Sequence, residues 1–298
     1  MEKLYIGTAG WSYKDWIDSF YPAAQTKNFD WLQFYATYFN VVEVNSSYYT
    51  YLAPRTVESW INKVEEQDDF LFTIKLHQDF THKRNYKSEQ ILAVKNVLDK
   101  LNNANRFGGL LLQFPYSFSL NKENANYVKT LFEIFEDYEK FIEVRHKSWL
   151  IERFFNFAAK SNCTLCAVDQ PNIGEAVELK PYKTNDTLYV RLHGRNEAGW
   201  KQSLGNFNKE QSYEQQSQRY EYLYSPGELL EIEHIIKEVY DTVKKVFIIF
   251  NNHPHGNAVA NAFEMLHNLK ERIKSKNKIK IPQTTLSAYP RLSKIALH

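Results

Sequence analysis

Eight short apolar runs recur along the chain, at residues 4–7, 41–45, 71–77, 110–113, 141–145, 164–169, 188–193 and 246–251. Most are rich in Val, Ile, Leu and Phe and are followed by Gly, Pro, Asn or Ser. A parallel strand covered on both sides reads this way, because it has no face to offer water. Helix-like stretches lie between the runs, at 29–39, 56–65, 89–102, 122–138, 150–160, 226–243 and 258–274. In one of them Ile91, Val94, Leu98 and Leu101 recur at helical spacing with charges opposite. Another opens Ser225-Pro226-Gly227-Glu228, with Ser as cap, Pro at the first helical position and Glu three residues after the cap. Strand-to-strand spacing is close to the ~30 residues of a βαβ unit. The crossover at 171–186 alone lacks a clear helix. Eight strand–crossover repeats predict an α/β fold, a closed (β/α)8 TIM barrel, over residues 1–280, with a C-terminal tail at 281–298.

Bulk properties narrow the function classes. A length of 298 residues suits one barrel of ~250 residues with extensions. A formal charge of +2 is too balanced to mark a nucleic-acid binder by itself. No apolar run approaches the ~20 residues of a membrane span. The N-terminus enters a strand directly, leaving no room for a signal peptide, so a cytoplasmic protein without a membrane partner is expected. Cys163 and Cys166 lead into a strand instead of a helix N-terminus, and no second ligand pair accompanies them. They read as small buried hydrophobes. The seventh connection is long, and its part at 196–224 is polar, aromatic and Gln-rich, as functional lids are. The basic run 274–280 closes the last helix, where cations offset the helix dipole.

Alternate strand residues point to opposite faces. Glu43 and Asn45 oppose Val42 and Val44; Lys75 and His77 oppose Ile74 and Leu76; Gln113 opposes Leu112. Glu143 and Arg145 oppose Ile142 and Val144, Asp169 opposes Val168, Arg191 and His193 oppose Val190 and Leu192, and Asn251 opposes Phe250. If the apolar members meet the helices, the polar set points into the barrel. Glu43, Glu143 and Asp169 then face Lys75, Arg145 and Arg191, and such buried charges must form paired networks. Charged residues at C-terminal strand ends are where barrels place their chemistry.

Several stretches resemble the YecE-like proteins, a TIM-barrel family of undefined function. They are Ile6-Gly-Thr-Ala-Gly-Trp-Ser-Tyr-Lys-Asp-Trp16 with Phe20-Tyr-Pro22, Phe39-Asn-Val-Val-Glu-Val-Asn-Ser-Ser-Tyr-Tyr49, Gly108-Gly-Leu-Leu-Leu-Gln-Phe-Pro115 and Glu143-Val-Arg-His-Lys-Ser-Trp149. Val168-Asp-Gln-Pro171, Val190-Arg-Leu-His-Gly-Arg195 and Phe250-Asn-Asn-His253 follow in order, with 257–262 after them. The resemblance spans nearly the whole chain and implies the barrel without a reaction. Phe114-Pro115 replaces a common Leu-Pro-Pro ending, and Ala9 stands where Ser is frequent.

Glu43, His77, Glu143, Asp169, His193 and His253 are metal-ligand types, and barrels of the endonuclease IV and xylose isomerase kind use such sets. Three competing cations and the absence of local ligand spacing argue against a site, so no metal ligand is assigned, and a divalent ion stays an open cofactor. No Walker or G-x-G-x-x-G loop implies a nucleotide cofactor, and no G-x-S-x-G supports a serine triad. Lys75 would form a Schiff base if desolvated, but with carboxylates nearby ion pairing is expected. A cation-rich mouth remains, from Arg84, His82, His146, Lys147, Arg195 and His253. The segment 256–258 opens the last helix, whose free N–H groups attract an anion through Asn257. Trp11, Trp16, Trp149 and Trp200 sit in strand-end loops and offer stacking faces.

The leading expectation is an enzyme, a lyase, isomerase or hydrolase, acting on a phosphorylated or otherwise anionic small molecule. Glu143 or Asp169 would be the base, with Glu43 and Lys75 in the catalytic set and His193 the acid or electrophile. Arg145, Arg191 and Arg195 would stabilise negative charge. Substrate contacts are expected from His77, Asn45, Gln113, Trp11, His146, Trp149, Asn251, His253 and Asn257. The alternatives are nucleic-acid binding, with or without phosphodiester cleavage, which needs a cationic groove and steep salt dependence, and a non-catalytic binding protein.

Overall fold

The apolar runs fold as one all-parallel sheet in the computed structural model, which describes residues 3–205, 212, 215, 217–270 and 279–296. The strands are β1 (Lys3–Ala9), β2 (Val41–Val44), β3 (Leu71–Lys75), β4 (Phe107–Gln113), β5 (Lys140–Glu143), β6 (Cys163–Leu165), β7 (Ala167–Asp169), β8 (Thr187–Leu192) and β9 (Lys245–Phe250). Their order is β6-β5-β4-β3-β2-β1-β9-β8-β7. β6 and β7 are the two halves of the single run at 164–169, parted at Cys166, whose N–H bonds to the Ile142 carbonyl at 2.9 Å. One half pairs with β5 and the other with β8, so the sheet ends meet and the barrel is nearly closed.

Around it lie α1 (Trp31–Ala36), α2 (Pro54–Lys63), α3 (Gln78–Thr81), α4 (Ser88–Asn103), α5 (Lys122–Ile134), α6 (Glu152–Lys160), α7 (Glu197–Gly205), α8 (Pro226–Tyr240), α9 (Asn257–Asn268) and α10 (Gln283–Ala288). The expected capping box holds: Ser225 Oγ accepts from Glu228 N while Glu228 returns a carboxylate to Ser225 N. The helix expected at 258–274 caps at Leu269, and the basic run 274–280 lies outside the described residues except for 279 and 280. The sixth crossover is indeed without a helix. No helix among the described residues is long and apolar enough to cross a membrane.

Two apolar layers result. The outer one packs Ile6, Val42, Ile74, Leu112, Ile142, Val190, Leu192 and Phe250 against helix residues such as Leu98, Leu131, Ile232 and Phe263. The inner one, Tyr5, Val41, Leu111, Phe141, Val168, Tyr189, Phe247 and Ile249, fills the barrel interior. Its rings stack, Tyr5 on Phe247 at 4.7 Å and Phe141 on Tyr189 at 4.2 Å. The interior is therefore packed rather than hollow, as layered barrel cores are.

The long seventh connection covers the C-terminal mouth. After β8 it forms α7, and the 3-10 turn Gln218–Tyr220 returns beside it. Asn196 Nδ2 donates to the carbonyls of Gln218 (3.0 Å) and Glu221 (3.3 Å), joining the two ends of the loop. Gly199 permits the approach, since a Cβ there would lie 2.9 Å from the Arg219 Cα. The tail is built into the same end: Thr284 bonds to the Phe20 carbonyl, and Arg291 to the Tyr224 carbonyl and Glu264, each contact at 2.7–2.9 Å.

Candidate functional site

Above the aromatic floor lies a buried charged layer, produced by inward-facing positions of β2, β5 and β8. Arg191 is 1% exposed and donates to both Glu43 and Glu143, each fully buried. Tyr189 donates to Glu43 at 2.9 Å, and Arg145 Nε to Glu143 at 2.7 Å. Two carboxylates thus face two guanidiniums, and the fork of Arg191 spans both acids, a pairing that Lys could not reproduce. Burial alone would raise the Glu143 carboxyl, but Arg191 and Arg145, with His193 beside them, outweigh it and hold it well below the usual carboxylate range. His193 is fully buried, and desolvation pushes its imidazole down to about 3, so the ring is neutral. Its Nδ1 lies 2.9 Å from Asn251 Nδ2, and its Nε2 lies 3.3 Å from Glu143 and from Arg191 and 3.4 Å from Arg145.

Directly above this layer opens a cavity of about 460 Å³. Strand ends supply Asn45, Lys75, Gln113, Arg145, Asn251 and His253; strand-end loops supply Tyr13, Tyr48, Tyr49 and His82; and the seventh connection supplies Trp200, Arg219 and Tyr220. Among the described residues no carboxylate lines it, whereas Lys75, Arg145 and Arg219 do. Arg145 lies 4.9 Å from the Trp200 ring, and Arg219 4.8 Å from the Tyr220 ring. Burial would raise the Tyr220 phenol, but Arg219, Arg145 and Lys75 bring it down to about 8. Lys75 also falls to about 8, chiefly through desolvation and then through the like charge of Arg191. Desolvation, with Lys75 and Arg145 nearby, lowers His82 to about 3. The Trp200 indole N–H and the Asn45 Oδ1 are buried without a hydrogen-bond partner among the described residues.

The expected ion pairing of Lys75 does not occur. Glu43 and Glu143 are engaged by the arginines, and among the described residues Lys75 has no carboxylate within ion-pair distance. Its ammonium sits over the Tyr48 ring, 4.3 Å from the centroid.

Asp169 also departs from expectation. In register it pairs with Leu192, an outer-core residue, while Val168 pairs with Arg191. Asp169 therefore faces outward, where it accepts from Arg195 (3.0 Å) and Tyr224 (2.5 Å), and Arg195 continues to Glu228 and Glu231 of α8. An apolar face need not be the outer one. Both faces of this strand are apolar, Leu165 and Ala167 outward and Cys166 and Val168 inward.

Other expected residues fall outside the cavity. His77 is buried beside Tyr51, ring centroids 4.0 Å apart, and its Nδ1 accepts from Asp79 N. His146 caps the turn at Ser148, and Trp149 is core, bonded to the Phe118 carbonyl. Trp11 packs edge-on against Trp60. Trp16 is core, bonded to the His253 carbonyl. Asn257, at the start of α9, is covered by Tyr289, and Asp15 already accepts from His255 N there, so the helix end meets a protein carboxylate. Glu43, Glu143, Arg191 and His193 stand one layer behind the cavity wall, His193 behind Trp200 and Tyr220. Arg219 and Tyr220 were not singled out from sequence; a basic–aromatic pair in an aperiodic loop carries no signal of where it docks. Tyr48 belongs to the family-like stretch Phe39–Tyr49, and His82 is one of the cations expected at the mouth. Among the described residues no three His, Cys, Asp or Glu side chains converge as a metal cage.

Fold and site together define a TIM-barrel protein with a cationic, lid-covered pocket at the C-terminal strand ends. The chain belongs to the family described as protein of unknown function DUF72, whose model matches residues 5–286. It is 32% identical to the UPF0759 protein YunF of Bacillus subtilis (strain 168) over 279 residues, 88% of this chain and 93% of that one. Among solved structures it is similar to a DUF72 family protein (TM1631) of Thermotoga maritima MSB8, with TM-score 0.76, 29% identity and coverage of 92% of this chain and all of that one. A DUF72 family protein (EF0366) of Enterococcus faecalis V583 is also similar, with TM-score 0.75, 26% identity and coverage of 94% and 99%.

Proposed function

We propose that the cavity binds a phosphorylated or otherwise anionic small molecule and performs acid–base chemistry on it. One observation carries this reading: three cationic side chains, Lys75, Arg145 and Arg219, line one cavity, and among the described residues no carboxylate lines it, Glu143 meeting Arg145 from the layer behind. A bound anion would meet several of these cations at once, in a desolvated site where each interaction is stronger than in water. Arg145 and Arg219 are the anion contacts, and Tyr220, with a phenol near neutrality, is the proton donor and acceptor. Asn45 and the Trp200 indole N–H offer polar contacts to a ligand. Glu143 is a poor base, being buried and doubly paired, and its role with Glu43 and His193 is to hold Arg145 and Arg191 in place. The finer YecE-like family label accords with the same reading.

The test is thermal stabilisation by inorganic phosphate and by ribose 5-phosphate, each compared with sodium chloride at equal ionic strength. A ligand at about 100 times its Kd adds ~2.7 kcal/mol of stability. Stabilisation by the phosphates that is lost in Arg219→Ala supports the proposal. Equal effects of phosphate and chloride sink it. Binding of DNA with steep salt dependence, without a response to ribose 5-phosphate, would move the assignment to nucleic acid.

A further inference from the structure

We propose that Lys75 is a covalent nucleophile that captures an aldehyde or ketone group of the anionic ligand as an imine. This deepens the reading above and rests on it. Four features of the geometry point the same way. Lys75 ends β3 and lines the cavity, so its amine reaches the ligand volume. It has no carboxylate within ion-pair distance among the described residues, because Arg191 and Arg145 engage both buried acids. Its Nζ lies over the Tyr48 ring, 4.3 Å from the centroid, a contact that fixes the position of the amine in the wall. Arg145 and Arg219 stand in the same wall, where an anionic substituent would be gripped while the carbonyl meets the amine.

The electrostatics agree. An imine-forming lysine must be a free amine, and desolvation beside another cation is how proteins achieve this. Lys75 has both influences, burial first and Arg191 second, and is lowered to about 8. At pH 8 roughly half of it is unprotonated, against well under ~1% of a surface lysine with pKa ~10.4.

The step balances. The neutral amine adds to the carbonyl carbon, a C–N bond forms and the carbonyl π pair moves to oxygen, which takes a proton to give the carbinolamine. The C–O bond then breaks with a second proton delivered to the departing oxygen, and water leaves. The nitrogen loses one of its two protons and ends as the protonated imine, so the sum is amine, carbonyl and one proton giving iminium and water. Tyr220, in the same cavity, is the group placed to shuttle these protons.

Borohydride trapping tests the step. The full chain is incubated at pH 8 with pyruvate, dihydroxyacetone phosphate or glyceraldehyde 3-phosphate, reduced with sodium borohydride, and mapped by peptide mass spectrometry. The expected result is a single dominant secondary amine on the Lys75 peptide, favoured over surface lysines by about 100-fold from the free-amine fractions alone. Its rate rises as pH climbs through about 8. Lys75→Arg removes the adduct, whereas Lys129→Arg, at an exposed surface lysine, leaves it in place. Adducts spread evenly over surface lysines overturn the proposal, as does a Lys75 peptide left unlabelled by all three carbonyl compounds. Phosphate stabilisation without trapping overturns the imine alone, whereas failure of both removes the anion site as well. Wild-type peptide mapping decides the matter even where Lys75→Arg folds poorly.

Discussion

Glu143→Gln isolates the charge of the buried layer with little change of shape. In the wild-type chain two carboxylates, Glu43 and Glu143, balance two guanidiniums, Arg191 and Arg145, and His193 is neutral. The variant leaves two cations on one acid, and Arg145 loses its ion-pair partner among the described residues. Breaking a buried pair by removing one member costs about 3–5 kcal/mol. Gln retains some hydrogen bonding, so the low end applies. For a chain of 298 residues ~3 kcal/mol corresponds to a fall in Tm of about 5 °C. Circular dichroism melts at pH 7 measure it, with Lys129→Ala as control. That residue belongs to an exposed i,i+4 pair with Glu133, worth only ~0.3–0.5 kcal/mol. The pH dependence has a defined sign. The Glu143 carboxyl is depressed in the folded chain, so its contribution is fully present above the ordinary value of 4.5 and is lost as pH falls through the depressed one. The gap between wild type and variant should therefore hold steady above pH ~4.5 and narrow below it. A Glu143→Gln melt within a degree or two of wild type at pH 7 would refute the reasoning, since the layer would then not depend on charge balance.

Three further outcomes follow from the same geometry. Absorbance at 295 nm should show one phenol titrating near pH 8 that disappears in Tyr220→Phe; a low-pH phenolate persisting in the variant assigns the shift elsewhere. Asp169→Asn should lower Tm by breaking the clasp with Arg195 and Tyr224, at a cost of about 2–4 kcal/mol, while phosphate stabilisation is unchanged. Loss of phosphate binding in Asp169→Asn would return that residue to the site. Trp200 lines the cavity near Arg145 and Arg219, so saturating ribose 5-phosphate should change tryptophan fluorescence in wild type and not in Trp200→Phe.

The chain's own pattern determined the barrel. Eight apolar runs at βαβ spacing close in only one common way, and alternation within them placed Glu43, Glu143, Arg145 and Arg191 inside. Their mutual pairing was also legible, because buried charges must find partners. Tertiary structure decided the rest, for three reasons. Alternation divides a strand into two faces without saying which is inner when both are apolar, so the side taken by Asp169 emerged only from its register with Leu192. Competition for a fixed number of carboxylates is settled by reach, and the fork of Arg191 spans both acids, leaving Lys75 against an aromatic ring. Finally, Arg219 and Tyr220 sit in a loop without period, about thirty residues beyond the strand that opens it, and only the folded chain brings them over the mouth where Lys75 and Arg145 end.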